Sequence, residues 1–114
     1  MYRVVITDEA YSQVQEIYLW IAKRAPQAAA RWFARLMKTI STLERFPERC
    51  TIAPEGEAFG IKLHQLFYGK RSGIYRMLFV IHHKTVTVLH VIHGSKQFLG
   101  EQEIINLMSN NPDK

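Results

Sequence analysis

The chain has 114 residues, of which 47% are hydrophobic and 22% charged, so it is long enough for one modest core and too short for two. This composition excludes a disordered chain, and no apolar run is long enough for a transmembrane helix. The single cysteine, Cys50, excludes an internal disulfide. A net charge of +5 favours an acidic partner, which is either a nucleic acid or an acidic protein segment.

The first half of the chain predicts a strand followed by two helices. Residues 2–7 are rich in β-branched side chains and predict a short strand. Thr7 is a good helix N-cap, and apolar residues at helical spacing continue from it to about Arg24. Pro26 suits the first turn of a second helix, which Phe46-Pro47 ends. Because the connection is short, the two helices should form an antiparallel hairpin.

The second half predicts a surface loop and then three strands. Residues 47–60 contain proline, glycine and scattered charges and are typical of a loop. Strands are predicted over residues 61–68, 74–82 and 85–93, with hairpin turns between them. Residues 101–109 predict one short amphipathic helix before a frayed tail.

This order indicates an α+β fold, β-α-α-β-β-β, with a possible short C-terminal helix. The helical hairpin should pack on one face of a small, mostly antiparallel sheet, and the other face should remain open for a partner. Residues 1–100 are predicted to form the domain, and residues 101–114 a short helix and tail.

The positive charge is concentrated in one region. Residues 61–100 contain no aspartate or glutamate. This depletion reflects either the low β-propensity of acidic residues or a surface that faces phosphates or carboxylates. On the second interpretation, the binding residues are Lys62, Lys70, Arg71, Arg76 and Lys96.

Arg76 is the most informative of these cations because its predicted strand is otherwise apolar. A guanidinium in that strand needs either an open sheet face or a carboxylate partner. On an open face it would bind a phosphate through two hydrogen bonds and stabilise negative charge. As a structural group it would pair with a helix acid such as Glu16 or Glu44.

Two histidines are candidates for proton transfer. His93 ends the last strand and precedes Gly94-Ser95-Lys96, which is either a solvated turn or a polar site. A histidine there is able to exchange a proton near neutral pH. His64 is predicted to lie beside Arg76 across the strand ladder, although a lone strand histidine is more often a packing residue.

No metal site or cofactor is predicted. His82 and His83 are adjacent in the sequence, and adjacent strand residues point to opposite faces, so the two do not easily share a metal ion. The sequence also lacks a glycine-rich phosphate loop and a nucleophile elbow.

Four segments, in the same order, resemble the RelE/ParE superfamily of toxins from bacterial type II toxin–antitoxin modules, over roughly residues 1–98. They are Thr7-Asp8-Glu9-Ala10, Leu43-Glu44-Arg45-Phe46-Pro47, Gly73-Ile74-Tyr75-Arg76-Met77-Leu78-Phe79 and Val88-Leu89-His90-Val91-Ile92-His93-Gly94-Ser95-Lys96. The end of the last segment is similar to the ParE-like, "plasmid stabilisation" branch, with Lys96 where arginine is usual.

The resemblance implies two functions of different classes. A ParE-like toxin arrests growth by binding DNA gyrase and is not an enzyme. A RelE-like toxin is an mRNA interferase, a ribosome-dependent endoribonuclease, and on that interpretation the catalytic residues are Arg76, His93, Lys96 and His64. The lysines expected on the preceding strand are only partly matched and the downstream tyrosine is absent, which favours the ParE-like branch. A silenced member that binds only its antitoxin is a third interpretation.

All three interpretations imply a cognate antitoxin, whose acidic or amphipathic segment wraps the toxin and covers the sheet and the helical hairpin. The N-terminus shows no apolar signal-peptide core, so we expect a cytoplasmic protein with no membrane partner. Self-association into a homodimer through the open sheet face is left undecided by the sequence.

Overall fold

The computed structural model describes residues 1–69 and 73–93. Within these ranges, the helices and strands follow the predicted order. Their bounds are β1 (Arg3–Ile6), α1 (Asp8–Ala22), α2 (Pro26–Ser41), β2 (His64–Tyr68), β3 (Tyr75–His82) and β4 (Thr85–His93). Short 3-10 turns at Thr42–Glu44, Pro47–Arg49 and Pro54–Phe59 connect α2 to β2. The helix and tail predicted over residues 101–114 lie outside the described residues.

The helical hairpin starts at the residues that the sequence indicated. The Thr7 hydroxyl accepts a hydrogen bond from the Ala10 N–H at 3.1 Å and caps α1, while Pro26 occupies the first turn of α2. The second helix ends earlier than predicted, at Ser41, and the chain continues as a 3-10 turn almost to Phe46. Neither helix of the described ranges is long and apolar enough to cross a membrane.

The four strands form one mostly antiparallel sheet in the order β1-β4-β3-β2, with β1 parallel to β4. A register shift between Leu78 and Phe79 of β3 marks a β-bulge against β4. Beside it, the Gln13 side chain of α1 accepts the Val91 N–H at 2.8 Å and lies 2.9 Å from His90 Nδ1. These contacts fix α1 over the central strands.

The main apolar core lies between the helical hairpin and one face of the sheet. Both helices, the segment after α2 and the two central strands contribute to it. Its buried side chains are Ala10, Val14, Leu36, Ile40, Leu43, Met77, Phe79, Val86, Val88 and Val91. Because side chains alternate along a strand, the residues between these on β3 and β4 face the other way.

That second face is not open, and the sequence-based expectation of a bare sheet face was wrong. A second buried cluster lies there, formed by Ala53, Leu63, Leu78, Val80, Leu89 and Ile92. Within the connecting segment, the Ala53 N–H donates to the Leu63 carbonyl at 2.7 Å, which holds these two residues of the cluster together over the sheet. The segment also passes very close to itself, since a Cβ on Gly56 would lie 2.5 Å from the Ile61 carbonyl oxygen. Residues 53–63, which include the end of the predicted loop, therefore cover this face of the sheet, and we call them the cover segment.

Candidate functional site

Arg76 lies on the covered face of the sheet and is paired with a carboxylate. Its Nη1 donates to Glu55 Oε1 at 2.9 Å and to Gln65 Oε1 at 3.0 Å, and its Nη2 donates to Glu55 Oε2. The two charged side chains are only 6% and 3% exposed. The partner acid lies in the 3-10 turn at Pro54–Phe59. The sequence-based expectation of a helix acid, Glu16 or Glu44, was therefore wrong.

The bidentate pair has a clear structural consequence. It joins the cover segment to the start of β3, and each charge compensates the other where water does not reach. A phosphate would have to displace Glu55 and desolvate its own charge to bind this guanidinium. In this arrangement Arg76 holds the cover segment on the sheet.

His64 and Arg76 do not lie beside each other as expected. In the ladder His64 is opposite Phe79, and Arg76 is opposite Phe67. His64 is buried on the helix side of the sheet, where its ring stacks on Phe79 with centroids 5.3 Å apart. Its Nδ1 lies 3.0 Å from the Cys50 carbonyl oxygen. These contacts are typical of a packing histidine.

His93 is the last residue of β4 and lies opposite Tyr75, the first residue of β3. The two rings meet edge-to-face with centroids 4.9 Å apart, and Tyr75 makes a similar contact with Trp32 at 5.3 Å. Burial raises the pKa of the Tyr75 phenol, with a smaller contribution from Tyr68. A shallow groove runs from these rings to α1, lined by Glu16, Ile17, Trp20, Tyr75 and His93.

The proposed catalytic residues that the structure describes therefore do not form one cluster. His64 and His93 are paired with Phe79 and Tyr75, four residues apart on β3, which corresponds to about 13 Å along a strand. Arg76 is on the opposite face. Lys62 is exposed just before β2, and Lys70, Arg71 and Lys96 lie outside the described residues. Within those residues no group of three potential metal ligands occurs.

The outer side of the helical hairpin carries exposed apolar side chains. Leu19 and Trp20 of α1 are 60% and 59% exposed, and the Arg24 guanidinium lies 4.5 Å above the Trp20 ring. A second shallow groove between the helices is lined partly by aromatic rings. We call the apolar side chains on both sides of Leu19 the hairpin surface: Tyr11, Tyr18 and Phe33 line the groove between the helices, and Trp20 lines the groove on the other side of α1.

Sequence reasoning missed the role of Glu55. A single acid in a loop with scattered charge carries no signal of burial, and its partner is 21 residues away in the chain. The one available signal was the buried cation itself, because an arginine in an apolar strand requires a counter-charge from somewhere in the fold.

The comparisons with known proteins agree with this fold. Residues 4–98 match the family described as the ParE toxin of type II toxin-antitoxin system, parDE. A chain of the solved structure "Chromosomal ParDE TA system from P. aeruginosa" is similar with a TM-score of 0.65 and 13% sequence identity, over 82% of this chain and 96% of that chain. At this identity the likeness shows the fold alone. No curated protein matches the chain.

Proposed function

Since this chain belongs to the ParE toxin family of type II toxin–antitoxin systems, we propose that it arrests growth by binding DNA gyrase and is neutralised by a cognate antitoxin. The observation that carries the first part of the proposal is the pairing of Arg76 with Glu55. An RNA-cleaving site needs a cation that is able to reach the phosphate, and this guanidinium already has a buried carboxylate.

The arrangement of the histidines supports binding rather than catalysis. General acid–base catalysis requires proton-transfer groups within hydrogen-bond reach of one reacting centre. His64 is held against Phe79 and the Cys50 carbonyl, whereas His93 lies opposite Tyr75, four residues before Phe79 on β3. A toxin that acts by occupying a protein surface needs no such convergence.

The hairpin surface is the proposed antitoxin site. Leu19 and Trp20 are exposed, and exposed apolar side chains beside grooves mark a protein interface more often than an ordinary surface. A helix or extended segment would cover them by placing its apolar side chains in the two grooves that flank α1. The net charge of +5 favours an antitoxin segment that also carries acidic residues. The likeness to a chain from a ParDE system supports a partner of this kind.

The target is tested by two assays side by side, one with the purified chain and one in cells. Supercoiling by gyrase is measured against toxin concentration, and cut transcripts are mapped by primer extension after induction in cells. We expect gyrase inhibition without codon-positioned cuts. Cuts with unaffected gyrase would reject the proposal in favour of the ribonuclease, and normal growth with soluble, folded protein would indicate a silenced toxin.

The antitoxin is tested by co-expression of the neighbouring gene, which should restore growth. Trp20→Ala together with Leu19→Ala is expected to weaken antitoxin binding without changing the melting temperature, because both side chains are more than half exposed. Unchanged antitoxin affinity in this double variant would place the interface elsewhere.

A further inference from the structure

Phe46, at the end of the helical hairpin, has an unusual backbone conformation and an unusually exposed aromatic side chain. Its φ and ψ are 48° and 55°, in the left-handed region, where bulky residues are rare and glycine or asparagine is normal. Its side chain is 79% exposed, so burial of the ring does not compensate for this conformation. A costly backbone conformation that presents an unburied aromatic ring is an outlier that points to use of the ring.

The turn that carries Phe46 is rigid. Arg49 Nη1 donates to the carbonyl oxygens of Arg45 at 2.7 Å and Phe46 at 3.1 Å, and its Nη2 donates to Thr42 Oγ1 at 3.0 Å. Pro47 follows and is buried. The backbone that presents the ring is therefore held in place before any partner arrives, which reduces the entropy lost on binding.

From this geometry we propose that Phe46 is the anchor by which the toxin docks into an apolar pocket of its target protein, gyrase under the proposed function. Phe46 projects alone from a braced turn, as an anchor residue does. The adjacent Arg45 is exposed and makes no side-chain ion pair among the described residues, so it suits an acidic rim around that pocket.

The same turn is less suited to a nucleic acid. Binding of single strands uses several aromatic rings along a basic groove, whereas the hollow beside Phe46 is lined by Ser41, Thr42, Glu44, Arg45 and Arg49. Glu44 would repel a phosphate, and the Arg49 guanidinium is already bound to its own chain. A protein pocket is therefore the better match.

Phe46→Gly separates a structural role from a docking role because the two predict opposite results. Glycine adopts the left-handed region without strain, so the variant should melt at or above the wild-type temperature and bind antitoxin unchanged. Loss of a central anchor should nevertheless weaken gyrase inhibition by roughly 30-fold or more. Phe46→Leu, which keeps an apolar side chain at this position, should retain most of the inhibition.

Phe67→Thr is the matched control, since Phe67 is also an exposed aromatic residue, at 54%, and threonine suits a strand. It should change inhibition by less than about twofold. Full inhibition by Phe46→Gly would overturn the proposal, and so would a clear fall in its melting temperature. If Phe46→Gly lost only nucleic-acid binding, or only the ability to form a wild-type dimer, Phe46 would be assigned to another partner. Either result would also overturn the proposal.

This inference rests on the proposed function only for the identity of the target. If the wild-type toxin arrests growth but does not inhibit gyrase, the proposed function fails while the docking role of Phe46 is still tested by growth arrest. Undiminished arrest by Phe46→Gly at equal protein level would then reject the anchor for any target.

Discussion

Replacing Glu55 with glutamine is expected to destabilise the fold strongly, although the two side chains have almost the same shape. The carboxylate and the Arg76 guanidinium are 3% and 6% exposed and share two hydrogen bonds. Glutamine offers one acceptor oxygen and no charge, so the buried guanidinium loses the negative charge that Glu55 supplies. Breaking a buried pair from one side costs about 3–5 kcal/mol, a large part of the roughly 5–15 kcal/mol that stabilises a typical domain.

The loss is measured by chemical and thermal unfolding of the wild type, Glu55→Gln, Arg76→Met and a double variant, Glu55→Leu with Arg76→Met. For a domain of this size each kcal/mol lowers the melting temperature by about 4–6 °C, so each single variant should melt roughly 12–30 °C lower. The double variant should recover most of that loss, because a well-packed apolar pair replaces a buried ion pair at little cost.

Two results would refute this reasoning. If each single variant loses less than about 1 kcal/mol in free energy of unfolding, the pair contributes no more than an exposed ion pair does. That result would contradict the burial seen here. A double variant with wild-type stability but no growth arrest would show that Arg76 contacts the target directly. Arrest that survives in the stable double variant would confirm that Arg76 acts through the fold.

Two further predictions concern α1 and Cys50. Thr7→Ala should lower the free energy of unfolding by about 1 kcal/mol, because it removes the hydroxyl that accepts the Ala10 N–H; Thr7→Ser should keep most of that stability, and an equal loss in both would exclude the cap. Burial raises the pKa of the Cys50 thiol, so its alkylation in the folded protein should require higher pH than in the urea-unfolded chain, since the thiolate is the reactive form. The pKa of this thiol is higher in the folded than in the unfolded protein. The stability that the protonated thiol contributes is therefore present below the unfolded pKa and is lost as the pH rises through the folded pKa. Equal pH profiles for folded and unfolded protein would contradict the burial.

The elements of this fold were predictable where local sequence decides them. Thr7 and Pro26 are start signals that act within one helical turn, and the strand over Thr85–His93 was predicted at the bounds that the structure shows. The turn before it was also predicted, although His83 and Lys84 both take positive φ without the glycine or asparagine that usually allows it. The short loop length alone required a tight reversal there.

The errors concern contacts between distant parts of the chain. The segment over residues 47–60 has loop composition, yet its Ala53, together with Ile61 and Leu63 just after it, covers one face of the sheet. No local sequence pattern predicts which face of the sheet a loop packs against. The pairing of Glu55 with Arg76 depends on the face that this segment covers. The register that separates His64 from Arg76 is set in the same way, by burial against the hairpin and not by strand propensity.

The two proposed surfaces of the toxin are separated, and this limits how an antitoxin neutralises it. The hairpin surface reaches Phe33 on α2, and Phe46 lies beyond the end of that helix. The remaining helical residues and the following 3-10 turn place Phe33 about 18 Å from Phe46 along the chain axis, whereas Tyr11, near the start of α1, lies at the end of the hairpin nearer to Phe46. A segment that covers only the hairpin surface leaves Phe46 exposed, so neutralisation by occlusion requires an antitoxin that continues along α2 to the Arg49-braced turn. An antitoxin truncated before that point should still bind the toxin with measurable affinity yet fail to restore growth.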